Sequence, residues 1–297
     1  MVRYYMNSVN TQKIIETPEN RIVFFCLARG YSIGKKHKYL KLVLRNIFLN
    51  KYSKFYKNCA NLIFHEGNIT FFDQFVIRLF SLNFKIQFID ISQLFVVPNS
   101  LIWTGKSEYG LGYSLMCRFN YFQIWELLQD FDTAIRIDDD VLVVNLGNIQ
   151  TDSIYVCSKL YKESHIETNL SFYQYLVERN IESLYDHKFP PNCLYITQLK
   201  FWNKQKVKEF LSEISNSPYC LEHRWGDTVV MGVALKKFVE VNSITLDKNI
   251  AYIHLSHDLF IGGGREVRIS KNRLYRYFSV VKYYFKSEHH VELTIKS

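Results

Sequence analysis

Three consecutive carboxylates, Asp138-Asp139-Asp140, stand directly between two apolar runs, Thr133 to Ile137 and Val141 to Val144. Carboxylates at such a junction are costly unless something neutralises them. A divalent cation does so, because Mn²⁺ or Mg²⁺ prefers oxygen ligands and can be shared with a diphosphate. Alternate residues of an extended turn point the same way, so Asp138 and Asp140 are expected to converge while Asp139 faces elsewhere. The same pattern also occurs as a plain solvated turn. Its place at a strand end favours a ligand, since open α/β sheets bind ligands beyond the carboxyl ends of their strands.

Three further segments could carry chemistry. In His223-Arg224-Trp225-Gly226-Asp227 a turn opens a helix, with Asp227 either capping it or acting on a ligand. In Tyr252 to Asp258 an extended chain puts His254 and Asp258 on one face and His257 on the other. A histidine at a strand end can complete a metal shell begun by carboxylates, or simply be hydrogen-bonded and half-buried. Gly262-Gly263-Gly264-Arg265 can form an anion nest or serve as a flexible connector. It matches neither a P-loop nor a dinucleotide fingerprint.

The elements that must position these residues follow from hydrophobic spacing. Continuous apolar runs predict strands over 21–27, 61–65, 86–90 and 133–137. Helical spacing predicts helices over 36–50, 72–80 and 114–128, with a glycine-bearing loop over 98–112. This alternation predicts an α/β protein whose central sheet is mixed, mostly parallel and flanked by helices. The second half predicts helices over 171–180, 204–215 and 227–238 and short strands over 194–197 and 250–254. Residues 1–20 read as an irregular lead-in. Lys271 to Lys286 read as a basic amphipathic helix inside a tail over 266–297, packing on its own domain or touching a membrane weakly. No repeat or linker divides the chain, so one domain over 1–297 is expected.

Composition narrows the function classes. The 37 Lys and Arg against 28 Asp and Glu leave a net charge of +9, which calls for an anionic partner. Apolar residues at 48% and charged residues at 22% exclude global disorder. No two of the six cysteines lie closer than Cys193 and Cys220, so no zinc-type pair exists and buried free thiols in a reducing compartment are expected. No apolar run approaches the roughly 20 residues of a membrane span, and the first residues are too polar for a signal peptide. A cytoplasmic or membrane-peripheral protein is therefore expected. The basic residues are spread along the chain without a recognition motif, which argues against a nucleic-acid binder. A metal-dependent phosphohydrolase would want more acidic ligands than these.

Four segments, in this order and with these separations, resemble the fungal α-1,2-mannosyltransferases of glycosyltransferase family 15, which have the GT-A fold. They are Tyr113-Ser-Leu-Met-Cys-Arg-Phe119, Arg136-Ile-Asp-Asp-Asp-Val141, Arg224-Trp-Gly-Asp227 and Ile250-Ala-Tyr-Ile-His254. The likeness covers roughly residues 20–260. It implies a glycosyltransferase that moves mannose from GDP-mannose, with retention, to a hydroxyl of a glycan or glycoprotein; a UDP-sugar is the alternative donor. Mn²⁺ (or Mg²⁺) would be held by Asp138, Asp140 and His254. Arg29, Arg118 and Asp138 would contact the nucleotide or its phosphates, and Asp227 would orient the acceptor. Asp138-Asp139-Asp140 stands where the family has Glu-Pro-Asp and keeps both outer carboxylates. Tyr195 stands at the position of the family's proposed nucleophilic Glu. That substitution points to a front-face reaction in which the Tyr195 hydroxyl stabilises an oxocarbenium-like transition state.

Overall fold

The computed structural model describes residues 21–29, 37–50, 52, 59–79, 81, 86–98, 101, 103, 110–149, 152–239, 243–257, 259–263 and 265–268. The lead-in expected over 1–20, the helix expected over 271–286, Asp258 and Gly264 lie outside the described residues. Strands β1 (Ile22–Ala28), β2 (Ala60–His65), β3 (Ile86–Asp90) and β4 (Thr133–Ile137) form where the apolar runs place them. Helices α1 (His37–Asn50) and α2 (Phe71–Leu79) connect the first three. β1 runs parallel to β2 and β4, and β2 parallel to β3. β1 is buried along almost its whole length, as a strand covered on both faces must be.

The chain then enters a long helical stretch and leaves the sheet after the acidic turn. α3 (Gly110–Arg118) passes into a π-helical turn, Phe119–Gln123, and continues as α4 (Ile124–Leu127). The helix thus starts inside the segment expected to be loop. After β4 come β5 (Val141–Asn145), β6 (Tyr155–Cys157), β7 (Tyr161–Lys162), α5 (Ile166–Val177), β8 (Lys188–Phe189) and β9 (Leu194–Gln198). They are followed by α6 (Leu199–Trp202), α7 (Gln205–Ser215), α8 (Tyr219–Glu222) and α9 (Asp227–Phe238). Four strands close the described chain: β10 (Ile244–Leu246), β11 (Ala251–His254), β12 (Leu259–Gly262) and β13 (Arg265–Arg268).

Among the described residues the main sheet has seven strands in the order β10-β6-β9-β4-β1-β2-β3. Only β9 runs antiparallel to its neighbours. A second sheet, β13-β12-β11-β5, is antiparallel throughout. One apolar core lies between the main sheet and the helices, with Trp125 and Trp202 stacked 4.3 Å apart. A second fills the space between the two sheets around Val141, Val143, Ile250 and Tyr252. Gly262 and Arg265 pair across the β12–β13 hairpin, with Gly263 at φ +61°. This stretch thus joins two strands of a hairpin, and Gly263 takes the positive φ that glycine favours. All six cysteines are free, and five are buried. No described helix is long and apolar enough to cross a membrane.

Candidate active site

Two registers assemble the site. Across the main sheet Phe25 pairs with Arg136 and Arg136 with Tyr195, so the three lie in one row near the carboxyl end of β4. In the second sheet His254 pairs with Val141, and the Leu255 N–H donates to the Asp140 carbonyl at 2.9 Å. Strand pairing thus returns β11 to the acidic turn. The cleft there has a volume of about 240 Å³ and is lined by Arg29, Lys41, Asn120, Arg136 and Asp138 to Asp140, among others.

Asp140, which lines this cleft, meets His254, whose Nε2 lies 3.4 Å from Oδ1. Asp140 is only 8% exposed, so the turn is not the solvated one its composition allows. Burial works to raise its carboxyl. Hydrogen bonds from His254 and Ser256 and the charge of Lys41 overcome this and hold it well below the usual carboxylate range. Burial works to lower His254, but its bond to Asp140 and the charges of Asp140 and Asp138 raise it above its ordinary value. Lys41 Nζ donates to Ser256 Oγ at 2.8 Å and lies 3.9 Å from Asp140 Oδ2. His257 turns back onto His254, with ring centroids 4.4 Å apart, because the chain turns at His254 instead of running on extended.

Asp138 lines the same cleft, but among the described residues it completes no three-residue metal-binding group with them. Arg136 Nε donates to its Oδ1 at 2.7 Å. The physical reason is strand periodicity: Arg136 stands two residues earlier on the same face, and the buried guanidinium claims the carboxylate. Burial and the charge of Asp140 push Asp138 up against the pull of Arg136. The other arm of Arg136 donates to Asp227 Oδ2, also at 2.7 Å. Asn192 donates to Asp227 Oδ1, and the Thr228 N–H donates there at 3.2 Å. Asp227 is thus held at the first residue of α9 by three donors, beside Trp225, whose indole N–H donates to Ser171 Oγ at 2.9 Å. Tyr195 stacks on Tyr155 at 4.9 Å. Its buried hydroxyl lies beside the Arg136 guanidinium without a well-formed hydrogen bond.

Arg29 lines the cleft as expected, its Nε donating to Glu66 Oε1 at 2.6 Å. Arg118 does not. It is buried in the helical layer, donating to the Ser215 carbonyl at 3.2 Å and lying over Phe122. Its segment is an apolar helix, and its charge is spent on the C-terminal end of α7. Sequence reading passed over Arg136, Lys41, Asn120 and Arg45. Arg45, fully buried in α1, donates to the Ile137 carbonyl at 2.8 Å, immediately before the acidic turn. Only Arg136 had a legible signal, its position two residues from Asp138.

His65 ends β2 beside Glu66, and its Nδ1 accepts the Gly67 N–H at 3.2 Å, which requires the unprotonated nitrogen. Burial lowers its pKa below 6.5 against the charge of Asp90. The unfolded chain therefore takes up the proton first, and stability falls as pH drops through about 6.5. Denaturant titrations at pH 7.5 and 5.5 should show a smaller acid loss for His65→Asn, whose amide oxygen can accept the same bond without titrating.

The donors present fit a divalent cation through two side chains. A buried, ionised carboxylate and an imidazole are the oxygen and nitrogen ligands that Mn²⁺ accepts. Among the described residues no third Asp, Glu, His or Cys completes a cluster. Such a site would draw its remaining ligands from water and from substrate phosphates, as hard-cation sites at diphosphates do.

Strand order, the acidic turn after β4 and the returning β11 define a GT-A glycosyltransferase fold. The fold is similar to that of core-mannan synthase A (CmsA/Ktr4) from Aspergillus fumigatus in an Mn/GDP form, with TM-score 0.65 and 15% identity over 81% of this chain and 76% of that one. It is equally similar to the mannosyltransferase Ktr4p from S. cerevisiae, alone and in complex with GDP, with TM-score 0.66 and 14% identity over 85% of this chain and 76% of that one. These structural neighbours are the fungal mannosyltransferases that the four sequence segments resemble. No family model and no curated protein sequence matches the chain.

Proposed function

We propose that this chain is a single-domain glycosyltransferase that takes mannose from GDP-mannose, with Mn²⁺ (or Mg²⁺), and passes it to a hydroxyl of a glycan or glycoprotein. The observation that carries the reading is the Asp140–His254 pair, with Asp140, Arg29 and Lys41 lining one cleft at the strand ends of this fold. The printed names of the neighbours, mannosyltransferases with GDP and with Mn and GDP, support the choice of donor.

Asp140 and His254 would hold the cation, which when bound spreads the charge that grows on the diphosphate leaving group. Arg29 and Lys41 supply fixed positive charge to the same oxygens. Arg136 bridges Asp138 and Asp227 and fixes both carboxylates, and Asp227 would orient the acceptor hydroxyl. In a front-face course the bond from the sugar C1 to the phosphate oxygen breaks, and a bond from C1 to the acceptor oxygen forms on the same face. The acceptor's proton passes to the leaving phosphate. No carboxylate is needed at position 195, where the Tyr195 hydroxyl is fully buried beside Arg136.

Calorimetric titration with GDP and with UDP in Mn²⁺ tests the donor. GDP should bind tighter by at least tenfold, about 1.4 kcal/mol. Tighter UDP binding would overturn GDP-mannose, and binding of neither would overturn the glycosyltransferase reading.

A further inference from the structure

Asn120 stands just beyond the Tyr113 to Phe119 segment and has no part in the reading above. The helix that carries it runs along the end of β1. A Cβ added at Gly112 would come within 2.8 Å of an Arg29 guanidinium nitrogen, so α3 approaches Arg29 closely there. Four and eight residues later Met116 and Asn120 line the same cleft as the acidic turn. At this point the helix widens into the π turn Phe119–Gln123. Such turns are rare and concentrate at functional sites.

Asn120 is 2% exposed, and its Nδ2 has no hydrogen-bond partner. Buried side-chain donors in native proteins are nearly always paired, so an orphan beside a cleft points to an acceptor that arrives with a ligand. The chemistry of the cleft selects that acceptor. The charged oxygens of a diphosphate have Arg29 and Lys41. A carboxamide is neutral and offers both a donor and an acceptor, which is the complement of a hydroxyl. We propose that Asn120 binds a hydroxyl of the donor sugar and sets which sugar is accepted. This inference rests on the glycosyltransferase reading.

The test uses the full chain, its Asn120→Ala and Asn120→Ser variants, GDP with Mn²⁺, and GDP-mannose with its monodeoxy analogues. Both variants should bind GDP within about twofold of the wild type while donor turnover falls about a hundredfold in Asn120→Ala, as expected for a site built around one substrate hydroxyl. One deoxy analogue should be disfavoured by the wild type by about tenfold or more, and Asn120→Ala should no longer distinguish it from mannose. Asn120→Ser, which replaces the carboxamide by a smaller hydroxyl that can still donate and accept, should retain part of that discrimination and guards against a variant that fails to fold. Loss of GDP binding in parallel with turnover, or unchanged analogue selectivity in a folded variant, would overturn the assignment and leave the glycosyltransferase reading standing. Failure of the wild type to bind GDP or GDP-mannose would overturn both.

Discussion

Asp140→Ala should reduce sugar transfer about a thousandfold or more, the scale of losing a preorganised group that stabilises leaving-group charge. The carboxylate is held ionised at the cleft by His254, Ser256 and Lys41 together. The fold should survive, because β11 is tied to the turn through the Asp140 backbone carbonyl, which alanine keeps. The stability cost should be about 1–2 kcal/mol, that of losing a buried hydrogen-bond partner whose imidazole can discharge. Turnover with saturating Mn²⁺, read beside a urea melt, separates the two effects. A folded Asp140→Ala enzyme of near-normal activity would remove Asp140 from the mechanism.

Arg136→Met should be the most destabilising single change in the site. It leaves Asp138 and Asp227 without their shared counter-charge; Arg136 itself is 4% exposed, and Asp227 is as deeply buried. Removing one partner of a buried pair costs about 3–5 kcal/mol, and here two carboxylates are stranded. Arg136→Lys should recover only part of this, since an ammonium cannot reach both acids as the planar fork does. The midpoint of guanidinium unfolding measures both variants. A loss below about 1 kcal/mol for Arg136→Met would mean that the bridge is not a structural clamp.

Much of the scaffold was legible because its signals are local. Ile86–Asp90, Thr133–Ile137 and Asp227–Phe238 form as their apolar spacing predicts. The second sheet was not, since β12 and β13 are four residues each and form by pairing, β12 on β11 and β13 on β12. The glycine run fits either a nest or a connector because flexibility serves both; the pairing of Gly262 with Arg265 across a hairpin is a tertiary fact. The acidic triplet was found, but its division of labour was not. The period of two that suggests Asp138 beside Asp140 also puts Arg136 beside Asp138, and spacing alone does not say which pairing prevails. His254 was found from its strand end, although the register that brings it to Asp140 is a tertiary fact. Arg118 misled because a cation in an apolar helix gives no sign of which neighbour takes it, and here that is the Ser215 carbonyl. Asn120 carries no sequence signal apart from being polar in an apolar run; its orphaned amide is visible only once the helix has packed.

The central claim is tested most directly by release of mannose from GDP-mannose, measured with the purified full chain across a panel of nucleotide sugars, with Mn²⁺ added and then chelated. The account predicts turnover of GDP-mannose above every UDP-sugar, lost on chelation and restored by Mn²⁺. Turnover that persists without a divalent cation, or a complete absence of turnover for every nucleotide sugar with Mn²⁺ present, would contradict it.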